Sequence, residues 1–191
     1  MTELTPVIRT IKELRTQVSL WRAAGLRIGL VPTMGALHHG HLSLVEAISD
    51  KVDKIVVSIF VNPKQFGENE DLDAYPRQEE ADRSKLSTTK ADLVFAPLAT
   101  EMYPEGHVSN VTLSGITEVL EGAARPGHFD GVATIVTKLL LQCLPDTAIF
   151  GEKDYQQLAV IRQFVKDLDI PVEILGGKLI REPDGLAASS R

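Results

Sequence analysis

Ile28-Gly29-Leu30-Val31 runs through Pro32-Thr33-Met34-Gly35-Ala36-Leu37 into His38-His39-Gly40-His41, and Leu42-Ser43-Leu44-Val45 follows at once. The first four residues have the apolar character of a buried strand, while Leu42, Leu44, Val45 and Ile48 fall on the inner side of a helix. Three histidines and two glycines therefore occupy a strand-to-helix turn. A helix beginning near Gly40 points unpaired backbone N–H groups and the positive end of its dipole at whatever fills the turn, which favours an anion. The glycines let a bulky phosphate approach the backbone. His38 and His41, three residues apart, share one side of the first turn and can reach one ligand together, whereas His39 points elsewhere. The same pair would also make half a zinc site, or simply cap the turn. The only cysteine is distant, and no second histidine pair has ligand spacing.

Outward from this turn, strand and helix patterns alternate. Thr5-Pro6 offers an N-cap with proline at the first helical position, and Ile8, Ile11, Leu14, Val18 and Trp21 recur at helical spacing until Gly25. Residues 55–61 are β-rich and apolar on both faces, as a central parallel strand covered on each side requires. Residues 92–95, 147–150 and 172–175 read as further strands, with helices expected near 77–90, 131–144 and 154–168. Pro145 closes the second of these helices and Pro171 follows the third. Repeated β–α alternation implies an α/β fold built on a doubly wound parallel sheet flanked by helices. The tail from Gly176 to Arg191 reads as mostly loop.

Composition sets the outer limits. The 191 residues, 43% hydrophobic and 24% charged, suit one domain with one good core. No apolar run approaches the roughly 18 residues of a membrane helix, and the N-terminus has no secretory pattern, so a cytoplasmic location is the default expectation. The net charge of −6 argues against a nucleic-acid surface, so an anionic small molecule needs a local cationic pocket. Cys143, within the apolar run 139–144, reads as a buried inert thiol.

Ligands of such sheets bind beyond the carboxyl ends of the strands, and further polar clusters sit there. Asn62-Pro63-Lys64-Gln65-Phe66 follows one strand, with Asn62 and Gln65 able to orient a polar substrate. Gly151-Glu152-Lys153-Asp154 follows another and places Lys153 where phosphates gather; Asp154 and Gln157 also fit a capping-box variant. A loop over 121–131 carries Arg125, suited to fork onto a carboxylate or phosphate, and the sequence ends in Ala188-Ser189-Ser190-Arg191.

In combination these stretches resemble one family, the pantothenate synthetases or ATP-dependent pantoate–β-alanine ligases. The resemblance runs from about Gly29 to Arg191 through six ordered motifs. They are Pro-Thr-Met-Gly-x-Leu-His-x-Gly-His, Ser-Ile-Phe-Val-Asn-Pro-x-Gln-Phe, Tyr-Pro-Arg, Arg-Pro-Gly-His-Phe, Phe-Gly-Glu-Lys-Asp and Asp-Gly-Leu-Ala-x-Ser-Ser-Arg. His-x-Gly-His alone marks only a wider nucleotidyltransferase superfamily with a Rossmann-like core. The resemblance implies that Met34, Gly35, His38 and His41 bind ATP, His41 carrying the acid role, and that Gly151, Glu152, Lys153 and Asp154 form a second ATP segment with Lys153 on the phosphates. It implies Ile180 beside adenine and Ala188, Ser189, Ser190 and Arg191 in a mobile phosphate-binding loop. Gln65 and Gln157 match the glutamines that hold pantoate, Gln65 also lying near β-alanine; Tyr75 and Arg125 fall in motifs without a defined role.

The implied chemistry is attack of the pantoate carboxylate on the α-phosphorus of MgATP, giving pantoyl adenylate and pyrophosphate, then of the β-alanine amine on the adenylate, releasing AMP and pantothenate. Mg²⁺ ligands are not indicated. A homodimer through this domain is also implied. Family members continue past Ser-Ser-Arg into a smaller domain that closes over the nucleotide, so residues 1–191 are expected to be the single nucleotide- and pantoate-binding domain, with reduced turnover. A non-catalytic pantoate-binding fragment and a different nucleotidyltransferase are the alternatives.

Overall fold

The computed structural model describes residues 4–67, 70 and 72–190. In chain order its elements are β1 (Val7–Ile8), α1 (Ile11–Ala23), β2 (Ile28–Thr33), α2 (His39–Ser49), β3 (Lys54–Ile59), α3 (Glu79–Leu86), β4 (Leu93–Phe95), α4 (Ala99–Met102), α5 (Glu121–Ala124), α6 (His128–Cys143), β5 (Thr147–Gly151), α7 (Tyr155–Asp167) and β6 (Glu173–Gly177). Short 3₁₀ turns at Pro63–Gln65 and Glu152–Asp154 follow β3 and β5. The strands form one parallel sheet in the order β1-β4-β3-β2-β5-β6. From β2 the chain proceeds outward to β3 and β4, then returns to add β5 and β6 on the other side. The direction therefore reverses between β2 and β5, which opens a crevice at their carboxyl ends.

Both faces of the sheet are covered, as the run 55–61, apolar on both faces, anticipates. Leu44, Val45 and Ile48 of α2 and Leu86 of α3 pack with Val31, Ile55, Val57, Val94 and Ile149 on one face. Helices α1, α6 and α7 cover Ile28, Leu30, Val56, Phe95 and Ala148 on the other. Strand neighbours such as Leu30 and Val31 part to opposite faces, following the two-residue period of a strand. Each fully buried side chain of this size contributes roughly 1.5–3 kcal/mol, so tertiary burial outweighs helix propensity. Cys143 is fully buried, and burial pushes its thiol up to about 12, consistent with an inert group.

The amino end of the sheet repeats one device. Asp53, Asp92 and Asp146 each stand immediately before a strand and grip one residue at the start of the neighbouring strand twice. Asp146 donates its N–H to the Ile28 carbonyl at 2.8 Å and accepts the Ile28 N–H on its carboxylate at 2.7 Å. Asp92 does the same with Ile55 (3.0 and 2.8 Å), and Asp53 with Arg27 (2.9 and 2.8 Å). The first amides of the central strands thus find acceptors where the ladder has none left to give.

Helix α1 begins later than its pattern indicates. Residues 7–8 are drawn into the sheet as an edge strand, with Val94 donating to Pro6 O at 2.8 Å and Ala96 to Ile8 O at 3.0 Å. The N-cap is Thr10, not Thr5, in a reciprocal capping box with Glu13. The helix expected at 77–90 contracts to α3, and α6 starts three residues earlier than 131. The tail is less loop-like than expected. β6 extends to Gly177, and a turn at Pro183–Gly185 returns the chain so that Arg181 bridges Ala187 and Ala188 donates to Ile180 O at 2.9 Å.

One buried charge shapes the turn after β2. Asp82, on α3 and 0% exposed, accepts the Ala36 and Leu37 N–H groups at 2.8 Å each. Ala36 is held at φ 50°, a left-handed conformation unfavourable for a residue with a side chain. Lys85 donates to Leu37 O at 2.6 Å and lies 3.9 Å from Asp82. Replacing Asp82 by Ala leaves two buried donors unpaired, at roughly 1–3 kcal/mol each. Urea unfolding should show Asp82→Ala destabilised by about 2–5 kcal/mol and Asp82→Asn by roughly half as much.

Candidate functional site

The crevice between β2 and β5 holds a cavity of about 350 Å³. Its walls come from the ends of β2, β3, β5 and β6, from the amino-terminal turns of α2 and α7, and from the flank of α6 between His128 and Leu139. Two helix dipoles of useful length thus turn their positive ends toward one volume, which suits an anionic ligand.

His38 and His41 stand together, ring centroids 4.1 Å apart. His38 caps α2, its Nδ1 accepting the Gly40 N–H at 3.1 Å, while the Nδ1 of His41 accepts the His38 N–H at 3.3 Å. The capping and phosphate-binding readings of these histidines are therefore one arrangement. Because both Nδ1 atoms accept, both neutral rings carry their proton on Nε2, where it is available to a ligand. Burial, reinforced by the neighbouring His38, pulls His41 down to about 4, and burial likewise lowers His38, so both are neutral at pH 7. Gly40 is required by the same packing. A Cβ there would lie 2.8 Å from Cε1 of His38.

His39 turns away, as its spacing requires, and meets Glu182 at 3.5 Å. On the opposite side of the crevice Lys153 pairs with Asp154 at 3.1 Å, both largely exposed. Such a pair is worth little in water, so Lys153 is readily drawn to a stronger anion. The expected capping box between Asp154 and Gln157 is absent: the 3₁₀ turn feeds α7 without a side-chain cap, and Gln157 instead lines the cavity.

Gln65 reaches the cavity from the turn after β3. Its side-chain nitrogen lies 3.0 Å from the sulfur of Met34. Gly131 makes this placement possible, because α6 passes so close that a Cβ there would stand 2.3 Å from the Lys64 carbonyl oxygen. His128, at the start of α6, lies with Nδ1 2.8 Å from Gln65 O and Nε2 3.0 Å from Arg125. Arg125 does fork onto a carboxylate, but an internal one: Glu70 at 2.6 and 2.7 Å, with Glu121 at 2.7 Å. Tyr75 lines the cavity with its ring edge-on to Phe66.

Among the expected ligand residues, Met34, His38, His41, Gln65, Gly151, Lys153, Asp154, Gln157, Ile180, Ala188, Ser189 and Ser190 all line this one cavity. Gly35 lies behind it, against Ile59 and Asp82, and the Glu152 side chain lies against Gly176 of β6. Arg191 falls outside the described residues. Ser190 donates to Ala36 O at 2.9 Å, which ties the tail to the turn held by Asp82. Glu121 and His128, both within the 121–131 stretch, also line the cavity, as does Lys178, which was not anticipated. For Lys178 the signal was present, since it directly follows the carboxyl end of β6.

Among the described residues no cluster of three or more His, Cys, Asp or Glu side chains has the arrangement of a metal site, and no helix is long and apolar enough to cross a membrane.

Comparisons with known proteins agree with this site. A pantothenate synthetase of Paramagnetospirillum magneticum is 60% identical over all 191 residues, which cover 67% of the relative. The crystal structure of pantothenate synthetase from Thermus thermophilus superposes with a TM-score of 0.90 at 50% identity, covering 97% of this chain and 66% of that one. The crystal structure of pantoate-beta-alanine ligase from Francisella tularensis complexed with beta-gamma ATP and beta-alanine gives a TM-score of 0.91 at 40% identity, covering 97% of this chain and 71% of that one. The chain thus spans about two thirds of the length of the curated relatives it matches. With the pantoate-beta-alanine ligase family model matching residues 6–191 across this Rossmann-like sheet and its cavity, the chain belongs to that family.

Proposed function

We propose that this chain condenses pantoate with β-alanine at the expense of ATP, through a pantoyl adenylate. The observation that carries the reading is that phosphate-seeking groups (His38, His41, Lys153) and amides suited to a hydroxy acid (Gln65, Gln157) line one cavity at the reversal point of the sheet. ATP enters as its Mg²⁺ complex, with the ion held chiefly by phosphates as Mg²⁺ usually is, so Mg²⁺ belongs to the substrate.

The carboxylate of pantoate is already a nucleophile at neutral pH. The residues therefore have two tasks: to align two mutually repelling anions, and to stabilise charge that grows on the phosphates as the α–β phosphoanhydride bond breaks and pyrophosphate leaves. The Nε2–H groups of His38 and His41, the ammonium of Lys153 and the amino end of α2 serve the second task. Ala188, Ser189, Ser190 and Arg191 are proposed to close on the phosphates, with Ile180 against the adenine. Gln65 and Gln157 hold the pantoate hydroxyls and carboxylate. In the second step the amine of β-alanine attacks the acyl carbon and AMP leaves with the carboxylate oxygen it acquired. His41, neutral when the site is empty, becomes a proton donor only after the polyanion raises its affinity for a proton. The family resemblance supports a homodimer through this domain and a cytoplasmic location.

The decisive measurement is pantoate-dependent exchange of labelled pyrophosphate into ATP. Exchange is expected, and pantoate binding without any exchange would reduce the chain to a binder. Lys153→Ala should slow exchange by about 10²–10³-fold, the usual effect of losing one charge-stabilising donor. Protonation provides a separate check. Burial holds the two imidazoles below 6.5 in the empty site, and bound phosphates favour their charged forms, so MgATP binding takes up protons. Titration calorimetry at pH 6 in buffers of different ionisation enthalpy should show that uptake, and MgATP affinity should rise as pH falls from 7.5 to 6.

A further inference from the structure

Behind Gln65 lies a chain of polar groups that the reaction above does not use. Asn62, 1% exposed, has both ends of its amide engaged. Its oxygen accepts the Lys64 N–H at 3.3 Å and the Tyr103 hydroxyl at 2.7 Å. Its nitrogen donates to the Gly131 carbonyl at 3.0 Å and to the side-chain oxygen of Gln65 at 3.1 Å. A backbone N–H on one side and a backbone carbonyl on the other prevent Asn62 from rotating its amide by half a turn without opposing donor to donor and acceptor to acceptor. The tyrosine hydroxyl is the shortest of the four contacts.

This arrangement decides which end of Gln65 faces the cavity. With Oε1 committed to Asn62, Nε2 points inward and, among the described residues, meets the weakly accepting sulfur of Met34. We propose that Tyr103 is a positioning and specificity-determining residue for the acid substrate: by tightening the hold on Asn62, whose orientation the two backbone contacts set, it keeps Gln65 with its hydrogen-bond donor toward the cavity, which favours a charged carboxylate, the stronger acceptor, over an uncharged carboxamide. The proposal rests on the reading of Gln65 as part of the pantoate subsite.

Three features suit Tyr103 to the task. Its ring is fixed on several sides, by Phe60 at 6.2 Å, by His107 edge-on at 5.1 Å, and by the Lys64 and Lys138 ammonium groups at 5.1 and 5.8 Å from its centroid. Lys64 is itself held by Asn110 at 2.7 Å. Burial raises the hydroxyl to about 12, so it keeps its proton and remains a donor throughout the working range of pH.

Tyr103→Phe removes the hydroxyl and retains the ring. Calorimetry on the chain should show pantoate bound about three- to tenfold more weakly, the usual effect of one lost hydrogen bond, with MgATP affinity within twofold of the unsubstituted chain. The preference for pantoate over its carboxamide analogue should shrink by a similar factor. A cycle with Gln65→Ala asks whether Tyr103 acts through Gln65. In that background Tyr103→Phe should cause no further loss of pantoate affinity, whereas additive losses overturn the proposal. An unchanged pantoate affinity, equal weakening of acid and carboxamide, or loss of both ligands together with a lower melting temperature also overturns it. Failure of the unsubstituted chain to bind pantoate at all would instead count against the assigned substrate.

Discussion

The site depends on a carboxylate that touches no ligand. Asp82 brings a negative charge from α3 into the interior and there satisfies two consecutive amides of the turn between β2 and α2. Without that acceptor, Ala36 would lose the partner of its own N–H that helps hold it in a left-handed conformation, and the turn would lose its buried anchor. The His38–His41 pair, the start of α2 and the anchoring of Ser190 all follow from the course of that turn. A buried charge is costly, but two short amide bonds and the nearby Lys85 offset the cost.

Electrostatics then work locally, against the overall sign of the molecule. A chain of net charge −6 builds a place for polyanions by concentrating helix amino ends, a lysine and two donor imidazoles in one crevice. Keeping the histidines neutral avoids two extra uncompensated cations while the site is empty. Arg125, the strongest cation nearby, is already neutralised by Glu70 and Glu121. Its work is to fasten the loop beside Gln65, together with His128.

Much of this was legible in the sequence because strand and helix periods, glycines and strand-end polar clusters are local signals. The turn at 38–41, the parallel sheet and the placing of Gln65 and Lys153 beyond strand ends follow from them, whereas Gln157 as a ligand residue was implied by the family resemblance. The errors have physical causes. Thr5-Pro6 has the chemistry of a helix start, yet sheet pairing by Pro6 and Ile8 prevailed over it, and a capping box of Thr10 with Glu13 starts the helix instead. Asp154 and Gln157 have capping chemistry, yet the preceding 3₁₀ turn left that role unfilled. The grip of Asp82 on residues 36–37 and the Tyr103–Asn62–Gln65 chain join segments some forty residues apart. No local pattern records such contacts.

The three aspartates that precede β3, β4 and β5 carry a further meaning. Each grips its neighbour by backbone and side chain together, and all lie at the rim of the sheet opposite the cavity. Strand register is therefore set where no chemistry takes place, and the other rim is left to irregular turns and polar groups that line the cavity. In a mutational survey the two rims would give different phenotypes: loss of soluble protein at one, and normal yield with altered ligand response at the other. An inherited change in this domain could then be sorted by the end of the strand on which it falls.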